Sequence, residues 1–130
     1  MNQNTDKAHR SSVIVLTRLI TSYKIWNEFL KDFPKTNKYS IGLKIDNLFL
    51  ETIENISMAV FLSKEKKIPY VKKAIMKLDS IKIFLEIAWE INSLNKNKYI
   101  RISETLLEPG KMLGGWYNQL IKQTSTQLTK

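Results

Sequence analysis

Apolar side chains recur at spacings of three and four through four stretches of this chain, a period that suits helices burying a stripe against one another. The first stretch, 12–33, carries Val13, Leu16, Leu19, Ile20, Tyr23, Trp26, Phe29, Leu30 and Phe33, with Ser11 or Ser12 suited to cap it. It stops before Pro34, because proline disfavours helical geometry at the preceding residue. The second, 40–62, opens at Ser40 and repeats Ile41, Ile45, Leu48, Phe49, Ile53, Ile56, Ala59 and Val60. The third starts between Ser63 and Pro69, since proline is at ease in a first turn, and runs to about Leu94. Its stripe is Val71, Ala74, Ile75, Leu78, Ile81, Leu85, Ala88 and Trp89. A polar break at 95–98, with Asn95 as cap, precedes a fourth stretch that reaches about Gln123.

No strand alternation or hairpin dipeptide interrupts this pattern. The sequence predicts an all-α fold, an up-down-up-down antiparallel four-helix bundle over 12–123, with flexible tails at 1–11 and 124–130. At 130 residues, one such domain buries roughly two-thirds of the surface its unfolded chain exposes.

The fourth stretch holds Gly110, Gly114 and Gly115, and a glycine inside a helix costs roughly 1 kcal/mol relative to alanine. Gly110 and Gly114 share one helix face, where missing side chains would let another helix backbone come close. Because the apolar spacing continues through Leu113, Trp116, Tyr117 and Leu120, the prediction is a continuing helix kinked at Pro109. Gly110, Leu113, Gly114 and Trp116 are the expected helix-packing and oligomer contacts. Ile83 and Ile87 lie beside the buried stripe of the third helix, and an extra apolar face asks for a partner, so self-association is expected.

Lysine and arginine outnumber aspartate and glutamate by 21 to 12, a net charge of +9 that favours a polyanion or an acidic protein surface. The surplus is uneven. Residues 64–82 hold seven lysines against Glu65 and Asp79, whereas 83–108 are nearly balanced. The absence of cysteine excludes disulfides, thiolate zinc sites and cysteine nucleophiles. The apolar run 13–16 is short, is followed by Arg18 and precedes no small-residue cleavage site, so neither a membrane span nor a signal peptide is expected, and a cytoplasmic location is.

Catalytic constellations are hard to assemble from these residues. The lone histidine, His9, lies in the expected tail, which leaves no Glu-x-x-His pairs for a di-metal bundle and no serine–histidine pair. Asp46 adjoins the core position Ile45, Glu51 and Glu54 fit a solvated face with Lys44, and Lys82 sits between Asp79 and Glu86 at ion-pair spacing. No metal, no cofactor and no enzymatic activity are expected. The positive signal is basic: Lys66, Tyr70, Lys73 and Lys77 fall within about 60° on a helix, aligning three ammonium groups beside one phenol. Such a strip neutralises phosphates, and a tyrosine stacks on a base. Lys31, Lys35, Lys38 and Lys44 form a second cluster around the first connection.

Several segments taken together carry a resemblance. They are Phe33-Pro34-Lys35-Thr36-Asn37-Lys38-Tyr39-Ser40-Ile41-Gly42, Lys44-Ile45-Asp46-Asn47, Lys77-Leu78-Asp79, Ala88-Trp89-Glu90 and Met112-Leu113-Gly114-Gly115-Trp116. Over residues 20–122 the chain resembles the accessory variability determinants (Avd) of diversity-generating retroelements, small four-helix bundle proteins related to those of ribosomal-RNA intervening sequences. The resemblance implies a homopentameric barrel whose basic surface binds nucleic acid, RNA or DNA, and a partner reverse transcriptase during mutagenic retrohoming. It implies no catalysis by this chain. Two other readings of the residues stay open: a structural or signalling bundle that binds an acidic protein, and an RNA-binding protein of the intervening-sequence kind unconnected to a retroelement.

Overall fold

A computed structural model of the chain describes residues 3–128, with side chains described over 9–125. Every regular element among them is helical: α1 (Gln3–Lys31), a single turn α2 (Lys35–Asn37), a π-helical turn (Lys38–Gly42), α3 (Leu43–Val60), α4 (Lys64–Glu90), α5 (Lys96–Thr105) and α6 (Leu107–Leu128). Four long bodies result, α1, α3, α4 and the α5–α6 rod. Their apolar stripes meet in one core, where Leu19, Trp26, Ile45, Phe49, Ile56, Ile81, Leu85, Ile102, Leu106 and Leu113 are fully buried. A smaller cluster of Ala59, Val71 and Leu120 closes one end, with Ile68, Tyr70, Trp116 and Tyr117 packed on it.

α3 runs antiparallel to α4, and α1 to α5. Lys44, Glu51 and Ala59 of α3 meet Phe84, Lys77 and Lys67 of α4, and Ser22 and Asp32 of α1 meet Thr105 and Lys98 of α5.

The boundaries depart from the sequence expectation in four places. Residues 3–11, expected as a tail, extend α1, because nothing in them breaks a helix once the buried stripe has nucleated one. Ser12 therefore caps nothing: it is buried, and its hydroxyl donates to the His9 carbonyl at 2.7 Å. At the other end α6 runs on to Leu128, and the remaining tail residues, 1, 2, 129 and 130, lie outside the described residues.

The second helical body begins at Lys35 rather than Ser40. Pro34 stands before it in extended geometry (φ −56°, ψ 139°), and the Asn37 and Lys38 N–H groups donate to its carbonyl at 3.0 and 2.9 Å. Ser40 falls inside the π-helical turn, its hydroxyl donating to the Asn37 carbonyl at 3.3 Å. This turn brings Gly42 beneath α1, where a Cβ would stand 2.9 Å from Leu30 Cδ1 and 3.3 Å from Phe33 Cδ2. Among the glycines, the tightest approach is here.

α4 begins at Lys64, inside the expected range, which puts Pro69 in the second turn rather than the first, where its ring removes the N–H that the Glu65 carbonyl would accept. The helix ends with Asn92 in the left-handed region (φ 63°), a conformation asparagine tolerates, and Ser93 and Leu94 N–H both donate back to the Ala88 carbonyl. Asn95 then caps α5 as its type suggests, accepting from the Lys98 N–H at 2.8 Å.

The fourth body breaks at Leu106, in the turn before Pro109, where the proline that the sequence marks as the kink takes away a donor. Leu106 N–H bonds to the Ser103 carbonyl at 3.1 Å in a tightened last turn, and Gly110 N–H bonds back to Leu106 at 3.1 Å, so the chain continues with a one-residue fault. Pro109 is the third residue of α6, in the first turn, where a missing donor costs least. The carbonyl it leaves without an N–H partner, that of Thr105, accepts instead from the Ser22 hydroxyl at 3.3 Å.

Candidate nucleic-acid interface

Several of the sequence-predicted lysines stand where α3 and α4 lie side by side. Lys66, Tyr70, Lys73, Lys77 and Phe84 follow one side of α4 at helical spacing. Facing them, α3 presents Lys44 and Glu51, seven residues apart on one face. The Lys77 ammonium binds Glu51 Oε2 at 2.7 Å, and Lys44 Nζ lies 6.0 Å from the Phe84 ring centroid. These contacts join the α4 strip to Lys44, which the sequence had grouped with the first connection. The joined seam extends about 27 Å from Lys66 to Phe84 at 1.5 Å per residue.

Its cations differ in what they can offer. Lys66 and Lys73 are exposed, and Lys73 Nζ lies 5.6 Å from the Tyr70 ring centroid. Lys77 is neutralised by Glu51. Tyr70 is half-buried on the smaller apolar cluster with the Lys73 ammonium over its ring, so less of it is available for stacking than the sequence spacing suggests.

Lys31, Lys35 and Lys38 stand apart from the seam, in the connection from α1 to α3. Lys31 pairs with Glu28 at 2.9 Å, Lys35 is exposed on α2, and Lys38 is half-buried in the π-helical turn. Asn37 Nδ2 donates to Ser93 Oγ at 2.8 Å and ties this connection to the corner between α4 and α5. From α5, Lys98 reaches Asp32 at 3.0 Å, and Lys98 and Arg101 stand 5.4 and 6.0 Å from the Phe29 ring centroid. Sequence reasoning missed these two cations beside α1, since no spacing links residues so far apart in the chain.

It also missed Lys67, whose ammonium donates to the Ala59 and Val60 carbonyls at 2.6 and 3.0 Å and lies 5.9 Å from the Trp116 ring centroid. A cation at the last carbonyls of a helix completes bonds the helix itself cannot make. Burial holds this ammonium below the ordinary lysine value of 10.5. Lys67 is thus a structural lysine within a run of surface ones.

The glycine face divides in the same way. Leu113 is fully buried in the main core, and Trp116 packs on both apolar clusters. A Cβ on Gly110 would lie 3.3 Å from Lys82 Nζ and 3.7 Å from Leu78 Cδ2, so side chains rather than a backbone approach it. Lys82 thereby reaches toward α6, and among the described residues it forms no ion pair with Asp79 or Glu86. Nothing lies within 4 Å of a Cβ on Gly114, so no part of the protomer makes the close approach there. Leu113 takes the inward position, and Gly114 follows about 100° further round.

Among the described residues, no three histidine, aspartate or glutamate side chains converge to hold a metal ion, and no helix is long and apolar enough to cross a membrane. No curated protein matches the chain. The bAvd-like family model matches residues 13–120, a span that reaches from α1 into α6 and takes in both the α3/α4 seam and the glycine face. With most of its length matched, the chain belongs to the bAvd-like family, that of the accessory variability determinants.

Proposed function

We propose that this chain is a non-catalytic accessory protein of a diversity-generating retroelement whose α3/α4 seam binds nucleic acid. The observation that carries the reading is the alignment of exposed Lys66 and Lys73 with Lys44 along one seam. Ammonium groups in a row release counterions from a phosphate backbone without reading its sequence. RNA and DNA both fit, and the basic end formed by Lys31, Lys35 and Lys38 suits the acidic surface of a partner reverse transcriptase in support of mutagenic retrohoming.

The topology in this reading is up-down-up-down, and the assembly a cytoplasmic homopentamer. Support for assembly comes from the outer face of α4, where Met76, Ile83 and Ile87 are 59, 57 and 36% exposed, a stripe that invites a second copy. Gly114, open within the protomer, and Gly110 are the remaining candidates for contact between copies.

The test measures binding of RNA, DNA and hybrid duplexes across a salt series, with light scattering to follow the oligomer. The parent protein binds with a log–log salt slope of about −0.9 per duplex phosphate contact, and Lys66→Gln/Lys73→Gln/Lys77→Gln lowers affinity uniformly across sequences. No binding by the parent at low salt removes the nucleic-acid reading and leaves the acidic protein partner.

A further inference from the structure

Phe61 is 85% exposed, more than any other large apolar side chain among the described residues. It is the C-terminal cap residue of α3, and its backbone is held. Its N–H donates to the Met58 carbonyl at 3.4 Å, and the Lys67 ammonium grips the two carbonyls immediately before it, those of Ala59 and Val60. An exposed aromatic ring carried on a pinned turn is a contact surface in waiting.

Its neighbours indicate what it contacts. Lys64 and Lys66 follow within five residues, both exposed, and Lys66 opens the seam that continues through Lys73 to Lys44. The arrangement is a row of phosphate-binding ammonium groups with a bare ring at its end. Tyr70, the other aromatic residue in this part of the seam, is half-buried beneath Lys73 and leaves the stacking role unfilled. A duplex keeps its bases stacked inside and shows a surface mainly its phosphates, whereas a single strand offers unpaired π-faces. Phenylalanine has no hydrogen-bonding group, so it stacks without reading a base.

We infer that Phe61, flanked by Lys64 and Lys66, is a stacking platform for an unpaired base and makes the α3/α4 seam prefer single-stranded nucleic acid to duplex. This rests on the seam being a nucleic-acid surface. The test compares the parent, Phe61→Ala, Phe61→Trp and, as a control for lost apolar surface elsewhere, Leu107→Ala, whose native side chain is 59% exposed on α6. Probes are a labelled single-stranded RNA carrying a fluorescent purine analogue, a duplex of equal length, and anionic vesicles.

The parent binds the single strand more tightly than the duplex. Phe61→Ala weakens single-strand binding by about 5- to 100-fold, leaves duplex binding within about twofold, and removes the quenching of the purine analogue. The salt slope stays unchanged because no phosphate contact is lost, and Phe61→Trp restores both affinity and quenching. Equal losses on single strand and duplex, an unchanged single-strand affinity, or the same loss from Leu107→Ala overturns the inference while the seam stands. Loss confined to vesicle binding also overturns it, assigning the ring to a lipid surface. A parent that binds neither nucleic acid at low salt removes the seam reading as well.

Discussion

The indole N–H of Trp26 donates to Asp46 Oδ1 at 3.2 Å, so the largest fully buried side chain of α1 is tied to a carboxylate on α3. The Tyr23 phenol feels the same carboxylate, while Phe33 and Phe49 close on the indole at centroid distances of 5.4 and 6.0 Å. Asp46 is thereby a structural acceptor, which explains an acid placed next to the core position Ile45. Asp46→Ala orphans a buried N–H and should cost about 1–3 kcal/mol in urea unfolding, with an unchanged m-value. Asp46→Asn keeps an acceptor for Trp26 and should cost less. Equal losses in the two variants would mean that charge, not the indole bond, is what matters.

The alkaline side of the stability profile should show two opposed contributions. Burial, then the bond to Asp46 and its charge, raise the Tyr23 phenol above its ordinary value of 10.0. A raised value means that the folded chain keeps the proton more firmly, so this stabilisation is complete below pH 10.0 and lost as pH rises through the raised value. Lys67 works the other way. Its lowered value means that just below 10.5 the unfolded chain holds the proton more often, and stability from this group rises with pH. Thermal melts above pH 10.0 should therefore fall less steeply for Tyr23→Phe, and Lys67→Met should abolish the opposing rise.

The four helical bodies were legible because each carries a stripe long enough to declare its period, and Asn95 was legible because capping depends on residue type and position alone. The fault at Leu106 was legible in its cause, Pro109, but not in its exact place or its repair, since the apolar spacing runs through it and Ser22 of α1 takes the Thr105 carbonyl. The glycines show the same limit. Gly42 and Gly114 look alike in the chain, yet only packing reveals that Leu30 and Phe33 crowd the first while the second faces open space. The α4 strip was legible as spacing, but the neutralisation of Lys77 by Glu51 and the cover of Lys73 on Tyr70 depend on side-chain placement that spacing cannot fix.

Substitution at the two glycines should move stability in opposite directions. Gly42→Val places branched carbons where even a Cβ would stand 2.9 Å from Leu30, and should destabilise by about 1–3 kcal/mol. Gly114→Ala meets nothing in the protomer and should add about 0.5–1 kcal/mol through helix propensity. Chemical denaturation of both variants, with light scattering, reads the outcome. A Gly114→Ala protein that loses its assembly would instead place Gly114 against a neighbouring copy.

The ion pair within the seam yields a gain-of-function prediction. Glu51 and Lys77 meet at 2.7 Å with side chains 48 and 33% exposed, a pair in contact with water and worth about 0–1 kcal/mol to the fold. While paired, Lys77 has its charge cancelled and contributes little to a passing phosphate. Glu51→Gln removes the competitor, adds one positive charge to the seam and leaves the ammonium beside Lys73 and Lys66 on the same side of α4. Binding of duplex nucleic acid should then tighten and its log–log salt slope should steepen by about 0.9, one further phosphate contact. Glu51→Gln/Lys77→Gln should cancel that extra steepening. Melting should barely change in either variant, because a half-exposed pair contributes so little. If Glu51→Gln leaves both affinity and slope at the parent values, Lys77 does not face the nucleic acid, and the phosphate path must run through Lys66, Lys73 and Lys44 alone.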